Sequence, residues 1–269
     1  MRLADPVAVS WKASLALRFR SIDGKTVLAE RRSDGPLVVQ KPLYPEGPGR
    51  CHVIVVHPPG GIAGGDELLL EAGTESEAHA LLTTPGAAKW YRSAGPWARQ
   101  KLSFEVTGTL EWLPRETIVF DGALAVLECE VRLGGAARYI GWDIVCLGRT
   151  GSGERFTRGT VRLETRILRG QDLLWVERGA IDGGGALLES PAGLGGRTVF
   201  GTLVATCDSP PILRECRKIA PTTALEGLVV ARYLGDSTEE AFNHFTLLWS
   251  VLRPALIGCE AVPPRIWRA

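Results

Sequence analysis

Short apolar runs rich in Val, Ile, Leu and Thr recur from end to end of this chain, and each is cut off by Gly, Pro, Asp or Ser. Leu15 to Arg20, His52 to Val56, Ala78 to Thr83, Lys101 to Val106, Ala125 to Leu133, Tyr139 to Leu147, Thr160 to Leu168, Val199 to Thr206 and Leu228 to Tyr233 are among about fourteen such runs, the grammar of strands and turns. No long 3.6-residue period appears in the first two hundred or so positions, so the pattern predicts an all-β body. Arg169-Gly170-Gln171-Asp172 reads as a hairpin turn. The 32 glycines among 269 residues show no three-residue period and fit the turns such a body needs. Two segments near the C-terminus differ. Ser209-Pro210-Pro211, followed by Ile212, Leu213, Cys216 and Ile219, predicts a short helix capped by Ser209. Ser237-x-x-Glu240 is a capping box, and Phe242, Phe245, Leu248, Trp249 and Leu252 follow at helical spacing until Pro254. That helix has one broad apolar face to bury, against the sheet or against a partner protein. No Ser-, Lys- or Glu-rich linker divides the chain, so residues 1–269 are expected to form a single domain.

A balance of 31 basic against 30 acidic residues removes the electrostatic reason to expect nucleic acid or an anionic membrane as partner. The opening Met1 to Pro6 has no apolar leader core, and no run near eighteen apolar residues occurs. Cys51, Cys129, Cys146, Cys207, Cys216 and Cys259 show no C-x-x-C or C-x-x-H spacing, which argues against a zinc module or a redox dithiol. Free thiols in a reducing, cytoplasmic setting are expected.

No catalytic constellation stands out. Gly148 to Gly153 has P-loop glycine spacing, but Glu154-Arg155 stands where Lys and then Ser/Thr would be required, so it reads as a turn between strands. Gly60, Gly61, Gly64 and Gly65 fail as a dinucleotide fingerprint, because they lead into the strand-like Glu67 to Leu70. His52 and His57, five apart on extended chain, fall on opposite faces and cannot chelate one ion together. With His79 and His244 they read as structural residues with hydrogen-bond partners. What does stand out is oxygen chemistry set in apolar strands: Asp66, Glu67, Thr83, Thr84, Glu111, Glu116, Asp121, Asp143 and Glu177. Buried acids of this kind must be paired, hydrated or metal-bound. Glu128, Glu130 and Glu164 are expected simply to face solvent.

Four longer strings carry a resemblance: His57-Pro58-Pro59-Gly60-Gly61-Ile62-Ala63-Gly64-Gly65-Asp66; Leu82-Thr83-Thr84-Pro85-Gly86-Ala87-Ala88-Lys89-Trp90-Tyr91-Arg92-Ser93; Glu111-Trp112-Leu113-Pro114-Arg115-Glu116-Thr117-Ile118-Val119-Phe120-Asp121; and Gly141-Trp142-Asp143-Ile144-Val145-Cys146-Leu147-Gly148-Arg149. In order and spacing they resemble the urease accessory protein UreD family, called UreH in some lineages. The likeness spans roughly residues 11 to 267, with Ala63, Trp90 and Arg115 as mild departures.

The resemblance implies a β-helical or layered β body with two short helices near the C-terminus and no enzymatic activity of its own. It implies binding to apo-urease and to UreF, and through UreF to the GTPase UreG, in nickel delivery. The nickel would be transient cargo and no tightly bound cofactor is expected. On that reading Asp66, Glu67, Asp143 and Glu177 line an internal polar route, supported by Thr83 and Thr84, since carboxylates and hydroxyls release a divalent ion more readily than a Cys or His cage. Phe242, Phe245 and Trp249 are candidates for a partner-binding face. A scaffold that bridges urease to the accessory GTPase without conducting nickel is the alternative.

Overall fold

A computed structural model describes residues 10–268; Met1 to Pro6, read above for a leader, lie outside the described residues. The chain opens with a hairpin, β1 (Lys12–Ile22) and β2 (Lys25–Asp34), then β3 (Val38–Val39) and β4 (Cys51–Val56). It then coils through β5 (Glu67–Thr74), β6 (His79–Thr83), β7 (Ala88–Trp90), β8 (Ala98–Val106), β9 (Thr109–Leu113), β10 (Thr117–Val119), β11 (Leu124–Leu133) and β12 (Arg138–Leu147). A second hairpin, β13 (Thr160–Arg169) and β14 (Asp172–Asp182), is followed by α1 (Ala186–Glu189), β15 (Val199–Ala205), α2 (Pro210–Arg217), β16 (Thr222–Leu225), β17 (Leu228–Gly235) and α3 (Thr238–Ile257).

The strands form two sheets, in order β14-β13-β11-β8-β5-β1-β2 and β16-β17-β15-β12-β9-β6-β4-β3, with β7 and β10 as a short side arm. Each coil gives one strand to the first sheet and the next to the second, so neighbours within a sheet pair in parallel: β5 with β8, β8 with β11, β6 with β9, β9 with β12. This is the β-helical, layered body that the family resemblance implies. Antiparallel hairpins close both ends of the first sheet.

Side chains alternate across a strand, and in the second sheet that alternation separates two cores. Leu82, Leu110, Trp112, Val145, Val204 and Val230 face the first sheet and join the inter-sheet core. Their neighbours Leu81, Leu113, Ile140, Trp142, Ile144 and Leu203 face the other way and pack under α3. The sheet pair and α3 therefore make three layers around two apolar seams.

The helices differ from the expectation in detail. Ser237 accepts the Glu240 N–H at 3.2 Å, as a capping box requires, but α3 runs one turn past Pro254 and spans 20 residues. Proline there removes one bond close to the end, while Gly258 in the left-handed region supplies the cap by donating to the Pro254 carbonyl at 3.0 Å. Ser209 sits at the N-cap of α2 without a side-chain bond. Strands β7, β9 and β16 and the single turn α1, which follows Gly183 to Gly185, extend the sequence reading.

Phe242, Phe245 and Trp249 correct the expectation of a partner-binding face. All three are buried, at 7%, 0% and 0% exposure. They form an aromatic cluster with Trp142 and Trp267, ring centroids 5.0 to 6.2 Å apart. The second sheet, with the C-terminal Trp267, supplies their burial. The helix buries its apolar stripe against its own sheet, the first of the two options the pattern left open.

Candidate functional site

A cavity of about 900 Å³ lies between the two sheets. Protein interiors leave few voids larger than a water molecule, and this volume is in the range of ligand sites. Its walls are graded along the β-coil. In the first sheet the inward row in register reads Leu15, Leu70, Leu102, Cys129, Thr165, Glu177. In the second sheet the facing row reads Asp143, Thr202, Arg232. The β1 side of the interior is thus aliphatic and the β14 side polar.

At the polar end one side chain bridges the sheets. Glu177 on β14 accepts from Thr202 Oγ1 on β15 at 3.0 Å and pairs with Arg232 on β17. Arg232 also donates to Thr202 Oγ1 at 2.7 Å. Asp143 on β12 faces the same space. Burial and the nearby Glu177 carboxylate push its pKa up to about 7, against a smaller opposing pull from Arg232. Asp143 therefore exchanges a proton near neutrality, where a cation arriving beside it would displace that proton. Burial, with Asp143 and Glu130 nearby, pushes the Cys129 thiol up to about 12, so it stays protonated.

Of the six candidate route residues, Thr84, Asp143 and Glu177 line the cavity and Asp66, Glu67 and Thr83 do not. Parity explains two of these. Glu67 sits one residue out of phase with the inward Leu68 and Leu70, and it pairs with Lys12 at 3.6 Å on the outer face. Thr83 shares the α3 side with Leu81, donating to the Leu113 carbonyl at 2.6 Å and accepting from Trp267 Nε1 at 2.9 Å. Asp66 is 1% exposed and fully engaged, accepting from the Trp11 and Ala63 N–H groups at 2.7 Å each. It fastens the glycine-rich turn, where Gly60 and Gly65 hold positive φ and a Cβ on Gly64 would stand 2.9 Å from the Pro96 carbonyl. Removing this acceptor, Asp66→Ala, should lower unfolding stability by about 1 kcal/mol, by urea titration, because the turn loses both hydrogen bonds to the one buried carboxylate that fastens it; unchanged stability would return Asp66 to a functional role.

His57 is a residue that sequence reasoning placed wrongly. It lines the cavity, and its Nε2 has no partner among the described residues. Burial lowers its pKa, with the Asp66 carboxylate opposing, which favours the neutral ring. Its position at the start of the His57 to Asp66 string was the available signal. The other histidines are engaged as expected: His52 with Glu46 at 2.6 Å, His79 with Glu111 at 2.6 Å and His244 with the Glu240 carbonyl at 2.7 Å.

A second polar cluster lies on the α3 side. Glu111, in the wholly buried β9, accepts from Trp249 Nε1 at 2.6 Å and from Arg253 Nε at 3.1 Å. Arg253 holds Glu46 through both terminal nitrogens at 2.7 Å. Burial alone would raise the Glu46 pKa, but bonds from His52 and Arg253 outweigh it and hold the carboxyl down to about 2. Glu111 is likewise held low by His79, Arg253 and Trp249 against its burial. Every group in this cluster is satisfied, so it joins the turn before β4, the middle of the second sheet and the end of α3.

Glu128 pairs with Arg99, and Glu130 with Arg132 and Arg166, on the outer face of the first sheet. Gly148 to Gly153 forms a turn closed by the Arg149–Glu154 ion pair at 2.9 Å. All six cysteines are free. Among the described residues no group of three or more His, Cys, Asp or Glu is arranged to hold a metal, and no helix is long and apolar enough to cross a membrane.

The site is thus a cavity between two coiled sheets, graded from aliphatic to polar, with a C-terminal helix stapled to the outer side of the second sheet. Comparison with known proteins shows the family. The chain belongs to the UreD urease accessory protein family, whose model matches residues 12–268. It is 52% identical to the urease accessory protein UreD of Dechloromonas aromatica over 96% of this chain and 94% of the relative. It is 49% identical to the protein of the same name from Azoarcus sp. (99% and 97% covered) and 48% identical to that from Nitrosococcus oceani (98% and 92%). Membership makes it an accessory protein of urease maturation, not an enzyme.

Proposed function

We propose that this chain works in the cytoplasm, docks on apo-urease together with UreF and, through UreF, UreG, and hands nickel to urease by way of the cavity between its sheets. The observation that carries this reading is the Asp143–Glu177 pair at the polar end, hard oxygen donors facing a cavity of about 900 Å³ between the sheets. Thr84 and Thr202 add hydroxyl oxygens along the same walls and His57 a free ring nitrogen. Such scattered donors suit brief contact with a divalent ion and rapid release, which a carrier requires and a storage site does not. Nickel is cargo here, not a resident cofactor. Asp66, Glu67 and Thr83 are left out of the route, because their bonds and parity engage them elsewhere.

The test exchanges Asp143→Asn and Glu177→Gln in the full chain, co-purifies it with apo-urease and the accessory proteins, and follows urease activity as nickel is supplied. Assembly should persist while activation falls about tenfold or more, since each change removes a carboxylate that a divalent cation can pair with at the polar end. Unchanged activation with intact assembly would leave the scaffold reading in place.

A further inference from the structure

Arg232 is a cation standing where a cation path needs an exit. Its guanidinium pairs with Glu177, donates to Thr202 Oγ1 at 2.7 Å and lies over the Trp175 ring at 5.4 Å from the centroid. It lines the large cavity and also a second one of about 530 Å³, walled by Trp175, Arg217, Pro221 and Thr222 on the far side. The Arg232 side chain is 44% exposed and the Glu177 side chain 32%, so this ion pair sits at the mouth of the interior rather than within it. Arg232 belongs to the inward row Asp143, Thr202, Arg232, so its backbone is fixed by the β15–β17 ladder while its long, part-exposed side chain borders both cavities.

We propose that Arg232 is the counter-cation and gate of the large cavity's open end: its guanidinium holds Glu177 until a divalent cation reaches Asp143 and Glu177, and is then displaced into the second cavity. This deepens the delivery reading and rests on it. Two features make the exchange reversible. Trp175 borders the second cavity and presents an aromatic surface to the guanidinium throughout the swing. Arg217 lines the same cavity, so like charge disfavours the displaced position and returns Arg232 to Glu177 once the cation has left. A resident guanidinium also weakens retention. Without it, the acid pair would hold a divalent ion instead of releasing it.

The test measures Ni2+ binding to the full chain by titration calorimetry for wild type, Arg232→Gln and Arg232→Lys, alongside Asp143→Asn and Glu177→Gln. Arg232→Gln should bind Ni2+ about tenfold tighter and, in the assembled complex, activate urease more slowly, because release becomes limiting. Arg232→Lys, which keeps the charge but not the planar fork that stacks on Trp175, should fall between wild type and Arg232→Gln. A purely structural arginine would not tighten binding when removed. If Arg232→Gln matches wild type in affinity and activation while the two acid variants are impaired, the gate is wrong and the delivery reading survives. If the acid variants activate urease normally, the delivery reading fails and the gate with it.

Discussion

Replacing Arg253 with Met should lower the unfolding free energy of the full chain by about 3–5 kcal/mol at neutral pH, read from urea or thermal unfolding. Arg253 is wholly buried and compensates two carboxylates at once, Glu46 and Glu111, whose side chains are 4% and 0% exposed. Removing the guanidinium leaves both acids in the interior with only His52, His79 and Trp249 as partners. The pH dependence carries a definite sign. Glu46 titrates near 2 in the folded chain against 4.5 ordinarily, so its contribution is present in full above 4.5 and is lost as pH falls toward 2. Glu111 is shifted in the same direction. The difference between wild type and Arg253→Met should therefore shrink across that acid window. Arg214, exposed in the last turn of α2, is the control, and its change to Met should stay within about 0.5 kcal/mol. A loss below about 1 kcal/mol for Arg253→Met, or a difference that does not vary between pH 7 and pH 2, would show that the network is not a staple.

Phe245→Ala should cost about 3–5 kcal/mol in the same measurement, because the ring is fully buried against Trp142 and the β12–β15 surface. Leu247, two positions on and 55% exposed, should tolerate Asp within about 0.5 kcal/mol. The pair separates two meanings of one apolar helix. A fold-stabilising stripe gives a stability loss in the chain alone. If Phe245→Ala instead leaves stability intact and abolishes complex assembly, the helix face is a docking surface after all.

The difference between what the residues announced and what the structure holds follows from range. Strand grammar is local, so β4, β12, β13 and β15 were legible from their own alternation and their bounding turns. β9 was not, because Glu111 interrupts an otherwise apolar run and its partners, Arg253 and Trp249, lie more than a hundred positions away. The family resemblance added the coiled layout, and the two sheets bear it out. For the cavity, residue type was visible and direction was not. Thr83 and Thr84 read identically in sequence, yet only Thr84 faces the cavity, and the same one-residue phase removes Glu67 while Glu177 stays. Asp66 reads as a route carboxylate because the N–H groups that hold it carry no sequence signature. Arg232 gave no signal at all, since its meaning depends on Glu177, which arrives from the opposite sheet.

Because the second sheet separates the cavity from the core under α3, it behaves as a wall one residue thick. On β12, Trp142 looks into the helix side and Asp143 into the cavity, so a single inserted or deleted residue within that strand would exchange the two faces, sending Asp143 under α3 and Trp142 into the cavity. Length can vary freely only at the corners between coils. The fold thus has a built-in reading frame, in which strands are fixed by parity and corners are the place where extra chain can be added.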